Sequence, residues 1–441
     1  MGASFIQVAF SLLAGIAVII WLAAKLKLHP FFALMIACFI VGIGTGMPAA
    51  AIINTMKEGF GNILRSLGFI IVLGTVLGVI LEGNGSTLVM ANSILKWLGK
   101  KYPALAMSIT GLIVGLPIFC DSGFIVLSGL NRTLAKRTGV PAIIMATSMA
   151  TGLYSVHCLI PPHPGAAAAA GIIGVSYGKL ILTGIIVAIP AMIAGYLYAG
   201  YAGKKITASS GTMEDAEEML HRNLPSATAA FLPVIVPVIL IALRSMLSSG
   251  AKGIEAILVF MGEPVIALLA GVLLALFAQK QWEAAKINLW LQESAEKAGG
   301  ILVIIGAGGA FGAILAATKI GDHFSAVLPL AGMGLLFPFL ITSVLKTAQG
   351  SSTVAIITAA SIVLPLLPSL GFVTEDQKLL CVLAMGAGSM LVSHANDAYF
   401  WVIAKFEKLD MEPMLKVYSV ATVLMGLVSL LMVYLLSFIL R

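Results

Sequence analysis

Two short stretches carry residues that could bind an anion and hold a proton. One is G-L-P-I-F-C-D-S-G at 115–123, the other S-V-H-C-L-I-P-P-H-P-G at 155–165. Each interrupts a long apolar run with an acid, histidines, prolines or glycines, residues that an ordinary bilayer-spanning helix avoids. Backbone released from helical bonding is tolerated at membrane depth only where protein or water re-satisfies it. A second pair, K-T-A-Q-G-S-S-T at 346–353 and G-S-M-L-V-S-H-A-N-D-A-Y-F-W at 388–401, lies in the other half of the chain. Two interrupted segments per half point to a transporter's binding site.

The chemistry follows from residue type. Where a helix begins after such a break, its free N–H groups and positive dipole end favour an anion. Ser122 and Gly123 at the first break, and Gly350, Ser351, Ser352 and Thr353 at the second, could cradle a carboxylate and bond hydroxyls; the plainer role for such small residues is to permit a turn and close packing. Asp121 and Asp397 are expensive at membrane depth and are the carboxylate candidates for proton coupling. Helix capping or an internal ion pair is the plainer role for each. His157, His163 and His394 could titrate, with His157 a third proton-coupling candidate, or bond substrate; equally, they could satisfy unwound carbonyls. Asn396 is a neutral ligand cheaper to bury. Pro161, Pro162 and Pro164 are expected to unwind their helix. Lys346 is expected to snorkel outward, and Glu82 and Glu263 to sit at the membrane interface.

The elements that must position these residues are apolar. Of 441 residues 60% are hydrophobic and 10% charged, against roughly 25% charged for a soluble domain, so the chain is read as an integral membrane protein. The formal charge of +7 comes from short clusters between apolar runs and not from one basic, aromatic-interleaved face, which argues against nucleic acid as a partner. Cys38, Cys120, Cys158 and Cys381 lie within apolar runs with no C-x-x-C spacing and read as buried small residues. The first apolar run lacks the features of a cleavable signal and is expected to be a retained span.

A spanning helix needs about 20 apolar residues. Spans are expected at 4–24, 30–47, 61–81, 141–160, 177–201, 227–247, 254–278, 299–317, 379–401 and 414–440, with amphipathic surface segments at 91–101 and 280–297. The shorter apolar pieces 103–119 and 123–130, divided by Cys120-Asp121-Ser122, form a re-entrant hairpin over about 103–130. A second, over about 332–367, is divided at Ala348-Gln349-Gly350-Ser351-Ser352. Broken helices are expected at about 141–165 and 379–401. The hydrophilic stretch 203–226 reads as a cytoplasmic linker between a first repeat, 1–202, and a second, 227–441. With both termini outside, most of the 26 Lys and Arg fall on the cytoplasmic side, as the positive-inside rule demands. Five spans per half then invert the second repeat relative to the first. A faint trace of repetition remains in G-F-I-I-V-L-G at 68–74 and G-I-L-V-I-I-G at 300–306. The expected fold is an all-α integral membrane protein of two inverted-topology repeats of five transmembrane helices, each with a re-entrant helical hairpin and a broken helix.

L-P-I-F-C-D-S-G-F, I-P-P-H-P-G-A at 160–166 and S-H-A-N-D-A-Y-F-W at 393–401 together resemble the signatures of the gluconate permease family of proton symporters, within the wider ion-transporter superfamily. The resemblance spans nearly the whole chain. It implies a bacterial inner-membrane transporter that brings in gluconate or related hydroxy-acids with protons, through Asp121, Ser122, His157, His163, Gln349, Ser351, Ser352, Thr353, His394, Asn396 and Asp397. Cys120 and Ser122 depart from the family pattern, which usually has an aromatic residue and an apolar one there; a smaller, more polar tip counts against gluconate itself, and members of the family also carry D-serine or shorter sugar acids.

The leading expectation is therefore a secondary active symporter whose partners are a small anion, protons and the bilayer, with homo-oligomers left open. It is not expected to be an enzyme or to need a cofactor. No G-x-x-x-x-G-K-[ST] phosphate loop is present, so ATP-driven transport would need another chain. Sodium coupling is the close alternative, since hydroxyls and carbonyls at broken helices can hold Na⁺. A different class, an intramembrane metal-dependent enzyme using His157, His163, His394 and Asp397, lacks H-E-x-x-H or any compact ligand pair with a third nearby. A passive channel is a further alternative, which uphill, saturable uptake would exclude.

Overall fold

The computed structural model describes residues 4–98, 101–205, 224–247, 253–279, 282–319 and 332–440, and among them every regular element is helical. The expected linker at 203–226 falls, from 206 to 223, outside the described residues. Six described helices are long and apolar enough to cross a membrane, or seven if one bent pair counts as a single span. Large apolar side chains such as Phe10, Phe69, Leu197 and Phe438 stand exposed on their outer faces, as lipid contact requires.

The first elements are α1 (Phe5–Ile20), carried on by a π turn to Lys25, α2 (Pro30–Gly44), α3 (Ala49–Gly83) and α4 (Ser86–Leu98). At 16 and 15 residues α1 and α2 are shorter than the expected spans. α3 has 35 residues, about 52 Å at 1.5 Å per residue, and overruns the expected span at both ends. Next come α5 (Pro103–Gly115), α6 (Cys120–Thr138), α7 (Ala142–Leu159), α8 (Pro164–Ile173) and α9 (Tyr177–Gly203).

Beyond residue 223 follow α10 (Ala227–Met246), α11 (Ile254–Met261), α12 (Pro264–Phe277) and α13 (Ala284–Ala317). The chain ends with α14 (Leu336–Gln349), α15 (Ser352–Val363), α16 (Glu375–Met390), α17 (Ala398–Phe406) and α18 (Met411–Ile439), which contains one π turn.

Three expectations need correction. The span expected at 254–278 is two helices bent by 75°, because Pro264 opens α12 where its missing N–H costs nothing, and Gly262 lets the backbone touch the Leu240 carbonyl of α10. Glu263 sits in that bend and pairs with Arg244. The surface segment expected at 280–297 is continuous with the span after it: α13 is one helix of 34 residues. The Glu293–Lys297 pair at 2.7 Å, four residues apart, supports its polar end. Finally, Cys120-Asp121-Ser122 is not a joint between helices but the first turn of α6; the joint is 116–119, where Pro117 offers no N–H.

α7 is buried from Ile143 to Leu159 and α16 from Leu379 to Met390. α5 lies against α7 where Gly111 and Gly152 bring the backbones together and Ser108 donates to the Ser148 carbonyl at 2.7 Å. α14 lies against α16 at Gly388, whose carbonyl accepts from Ser343 at 3.2 Å. Tyr154 of α7 donates to the Ser389 carbonyl of α16 at 3.1 Å and ties the two buried helices together. α3 crosses α13 antiparallel: Gly59 meets Gly309 and Ala313, and Gly83 meets Trp290. Small residues permit that approach of backbones.

Candidate functional site

A cavity of about 520 Å³ opens where the interrupted segments meet, within the ~300–1,000 Å³ usual for small-molecule sites. The first residues of four helices line it: Cys120, Asp121 and Ser122 of α6, Pro164 of α8, Ser352 and Thr353 of α15, and Ala398 and Tyr399 of α17. The first N–H groups of a helix have no intrahelical partner, and each N-terminus carries roughly half a positive charge. Such ends around one space favour an anion, with acids already at two of them, Asp121 and Asp397, and no N–H on Pro164.

At the first break, α6 makes its first helical bond from Gly123 N to the Phe119 carbonyl, at 2.9 Å. Asp121 sits in that first turn, with the Cys120 thiol at 3.8 Å as its side-chain neighbour and no ion pair among the described residues. Gly123 does not line the cavity; an added Cβ there would meet Leu153 at 2.8 Å, so the position serves close packing of α6 on α7.

The second break is held by a sharper turn. Gly350 has φ of +82°, a left-handed conformation that glycine takes without penalty, and a Cβ there would collide with the Asn396 carbonyl. Ser351 caps α15, its hydroxyl accepting from Val354 N at 3.3 Å. The Gln349 side chain is buried beside the cavity with neither amide oxygen nor nitrogen bonded within the protein. Buried polar atoms nearly always find a partner, so this amide is available to a guest. Asn396 lines the cavity and donates its amide to the Thr347 carbonyl at 2.6 Å.

Asp397 has a different environment. Its Oδ2 accepts from Lys346 Nζ at 2.9 Å and from Ser393 Oγ at 2.5 Å, while Oδ1 accepts from Tyr399 N at 3.0 Å. Lys346 is wholly buried, contrary to the expectation that it snorkels outward; a buried ammonium needs a counter-charge, and Asp397 supplies it. Asp397 therefore both caps α17 and closes an internal ion pair, although it also lines the cavity.

The histidines divide. His157 lines the cavity, stacked on Tyr154 with ring centroids 6.3 Å apart, its Nε2 3.5 Å from Thr353 Oγ1 and its Nδ1 without a partner in the protein. His163 lies behind it, rings 5.0 Å apart, and its Nε2 is 2.6 Å from the Gly115 carbonyl. That bond satisfies the last carbonyl of α5 and pins the first break to the α7–α8 break. His394 is not among the cavity-lining residues, and its carbonyl accepts from Asp397 N at 2.8 Å. Among the described residues no group of three His, Cys, Asp or Glu side chains could hold a metal ion.

Sequence reasoning missed Lys297, Tyr154 and Tyr399. Lys297, with Ile301 and Ile304, comes from α13. Their spacing of four and three residues is one helical face, a signal lost by assigning Lys297 to a separate surface segment. Lys297 is the one cation among the described lining residues, and it is paired with Glu293. Tyr154 and Tyr399 stack at 5.7 Å and form an aromatic wall. Glu82, expected at the interface, is half-buried near the end of α3.

Comparison with known proteins agrees with this architecture. Residues 7–439 match the family described as GntP family permease. A gluconate permease of Pseudomonas aeruginosa is 35% identical over 433 residues, covering 96% of each chain. The D-serine transporter DsdX of Escherichia coli K12 is 30% identical over 448 residues, covering 99% of each. The crystal structure of the Alcanivorax borkumensis YdaH transporter matches 96% of this chain and 98% of its own with a TM-score of 0.66 at 14% identity, a likeness of fold. A multi-pass membrane protein whose interrupted helices surround an anion-favouring cavity, and whose whole length matches permeases, is a permease and not an enzyme: the chain belongs to the GntP permease family.

Proposed function

We propose that this permease imports a small hydroxylated carboxylate, a gluconate-like sugar acid or a shorter hydroxy-acid, together with protons. The observation that carries the reading is the convergence of four helix N-termini on one cavity beside an unpaired carboxylate. The substrate carboxylate is drawn to the N-termini and to Lys297, exchanging with Glu293 for that ammonium. Gln349, Ser122, Ser352, Thr353 and His157 supply donors and acceptors for hydroxyls. Asp121 is the group that takes up and releases the proton; Asp397 is committed to Lys346. Gluconate and D-serine, the substrates in the names of two relatives, share a carboxylate and a hydroxyl, which this donor set suits.

We further propose that 1–202 and 227–441 are repeats of opposite topology, with α5–α6 and α14–α15 as re-entrant hairpins and α7–α8 and α16–α17 as broken helices. Element order supports this: a long helix of 35 residues precedes the first set and one of 34 the second. A pair of oppositely entering hairpins gives the site a gate on each side. Lys101, Arg132, Lys136 and Arg137 at the base of the first hairpin then lie in the cytoplasm, with both termini outside.

Purified protein in liposomes tests the reading. Uptake of labelled gluconate against its gradient is expected under an imposed pH gradient and not under a sodium gradient; drive by sodium alone transfers the coupling to that ion. In a thermal-shift series of gluconate, other aldonates, glycerate and D-serine, at least one sugar acid is expected to raise the melting temperature. No response to any hydroxy-acid removes the substrate assignment.

A further inference from the structure

A second cavity, of about 690 Å³, lies apart from the substrate site, between the start of α5, the α6–α7 turn and the end of α9. Three lysines line it, Lys101, Lys204 and Lys205, with three tyrosines, Tyr102, Tyr196 and Tyr201, and among the described residues no carboxylate does. Lys101 Nζ stands 5.2 Å over the Tyr102 ring. Lys205 Nζ stands 4.0 Å over the Tyr201 ring and donates to its hydroxyl at 2.7 Å. Cations drawn from two places in the sequence are thus gathered, among the described residues, without a counter-charge, an arrangement that repels itself unless an anion is present.

The remaining wall is apolar, formed by Leu197, Ile144 and Val140, and Leu197 is 60% exposed. The space is kept open by glycine: Gly139, at φ +70°, and Gly200 both line it, and a Cβ added at either meets nothing within 4 Å. A basic, aromatic rim above an apolar wall at the end of spanning helices has the polarity of an amphiphile. Tyrosine favours the headgroup level of a bilayer, and basic pockets between spanning helices take anionic headgroups.

We propose that this groove binds an anionic phospholipid, its phosphate held by the three lysines and the tyrosine hydroxyls and an acyl chain running along Leu197 and Ile144. A soluble phosphate would satisfy the cations but leave the apolar wall without purpose. The site is independent of the transported substrate.

Native mass spectrometry of the full chain in detergent tests this, with phosphatidylglycerol, cardiolipin, phosphatidylcholine and inorganic phosphate as probes. Retention of the two anionic lipids over phosphatidylcholine is expected. Each lysine removed should weaken it roughly fivefold, so that Lys101→Gln, Lys204→Gln and Lys205→Gln together cost about 100-fold, while the corresponding triple change to arginine retains binding. Gly200→Leu leaves every charge in place and fills open space, and it too should abolish selective retention. Equal retention of phosphatidylcholine, displacement by inorganic phosphate as potent as by lipid, or undiminished binding in both the glutamine and the Gly200→Leu variants would each overturn the proposal.

Discussion

Two aspartates stand at the starts of helices that open onto one cavity, and their surroundings could hardly differ more. Asp397 receives hydrogen bonds from Lys346, Ser393 and the Tyr399 backbone. Ser393 is itself held, its N–H donating to Thr422 at 3.1 Å and its carbonyl accepting from Ser419 at 2.5 Å, so the network reaches from α14 to α18. Asp121 has a thiol at 3.8 Å and otherwise faces the cavity. The contrast separates two uses of a costly residue. A carboxylate whose oxygens are fully occupied can fix a helix break; one left without a counter-charge can change protonation without dismantling the fold.

Removing the partner of the occupied acid should have the largest effect. Lys346→Ala strands a buried carboxylate and is expected to cost about 3–5 kcal/mol, read as a large fall in melting temperature or as failure to accumulate in the membrane. If the variant melts with the wild type, Asp397 is less confined than its bonds indicate and the contrast collapses. Next comes Asp121→Asn, expected to leave melting nearly unchanged while reducing pH-driven accumulation at least tenfold, about 1.4 kcal/mol of coupling. Exchange of labelled for unlabelled substrate should survive, because the neutral amide stands in for the protonated acid and exchange needs no net proton movement. Intact proton drive in Asp121→Asn would falsify its assignment.

Smaller effects sharpen the comparison at the cavity's edge. Lys297→Gln is expected to raise KM several-fold with little change in maximal rate, the signature of lost ground-state binding, whereas Glu293→Gln, which frees the ammonium, should lower KM. Identical shifts in both variants would show that the pair acts only to support α13. Smallest is Ser351→Ala, which removes the α15 cap and is expected to cost about 1 kcal/mol of stability, measured by thermal melting.

Much of the site was legible in the chain because interruption of an apolar run is a local signal. Pro117, the prolines at 161–164, Gly350 and the S-H-A-N-D stretch each announce where a helix cannot continue, and the breaks are at or beside those places. Exact boundaries were less legible. The polar Cys120-Asp121-Ser122 reads as a joint between helices, yet an acid is stabilised within the first turn of a helix, where Asp121 sits. Lys297 ends a charged stretch that reads as an amphipathic surface segment, yet a helix with enough apolar face continues through Gly299-Gly300.

By itself the sequence determined the membrane class, the places where helices break and the polar residues available there, since hydropathy and backbone restrictions act over a few residues. Which of those residues meet was decided only in three dimensions. Lys346 and Asp397, 51 positions apart, form one buried pair; His163 bonds a carbonyl 48 positions away; Lys297 reaches the cavity along a helix of the other half. No local pattern encodes such pairings, because they depend on how separate helices pack and on which buried charge each packing leaves to be neutralised.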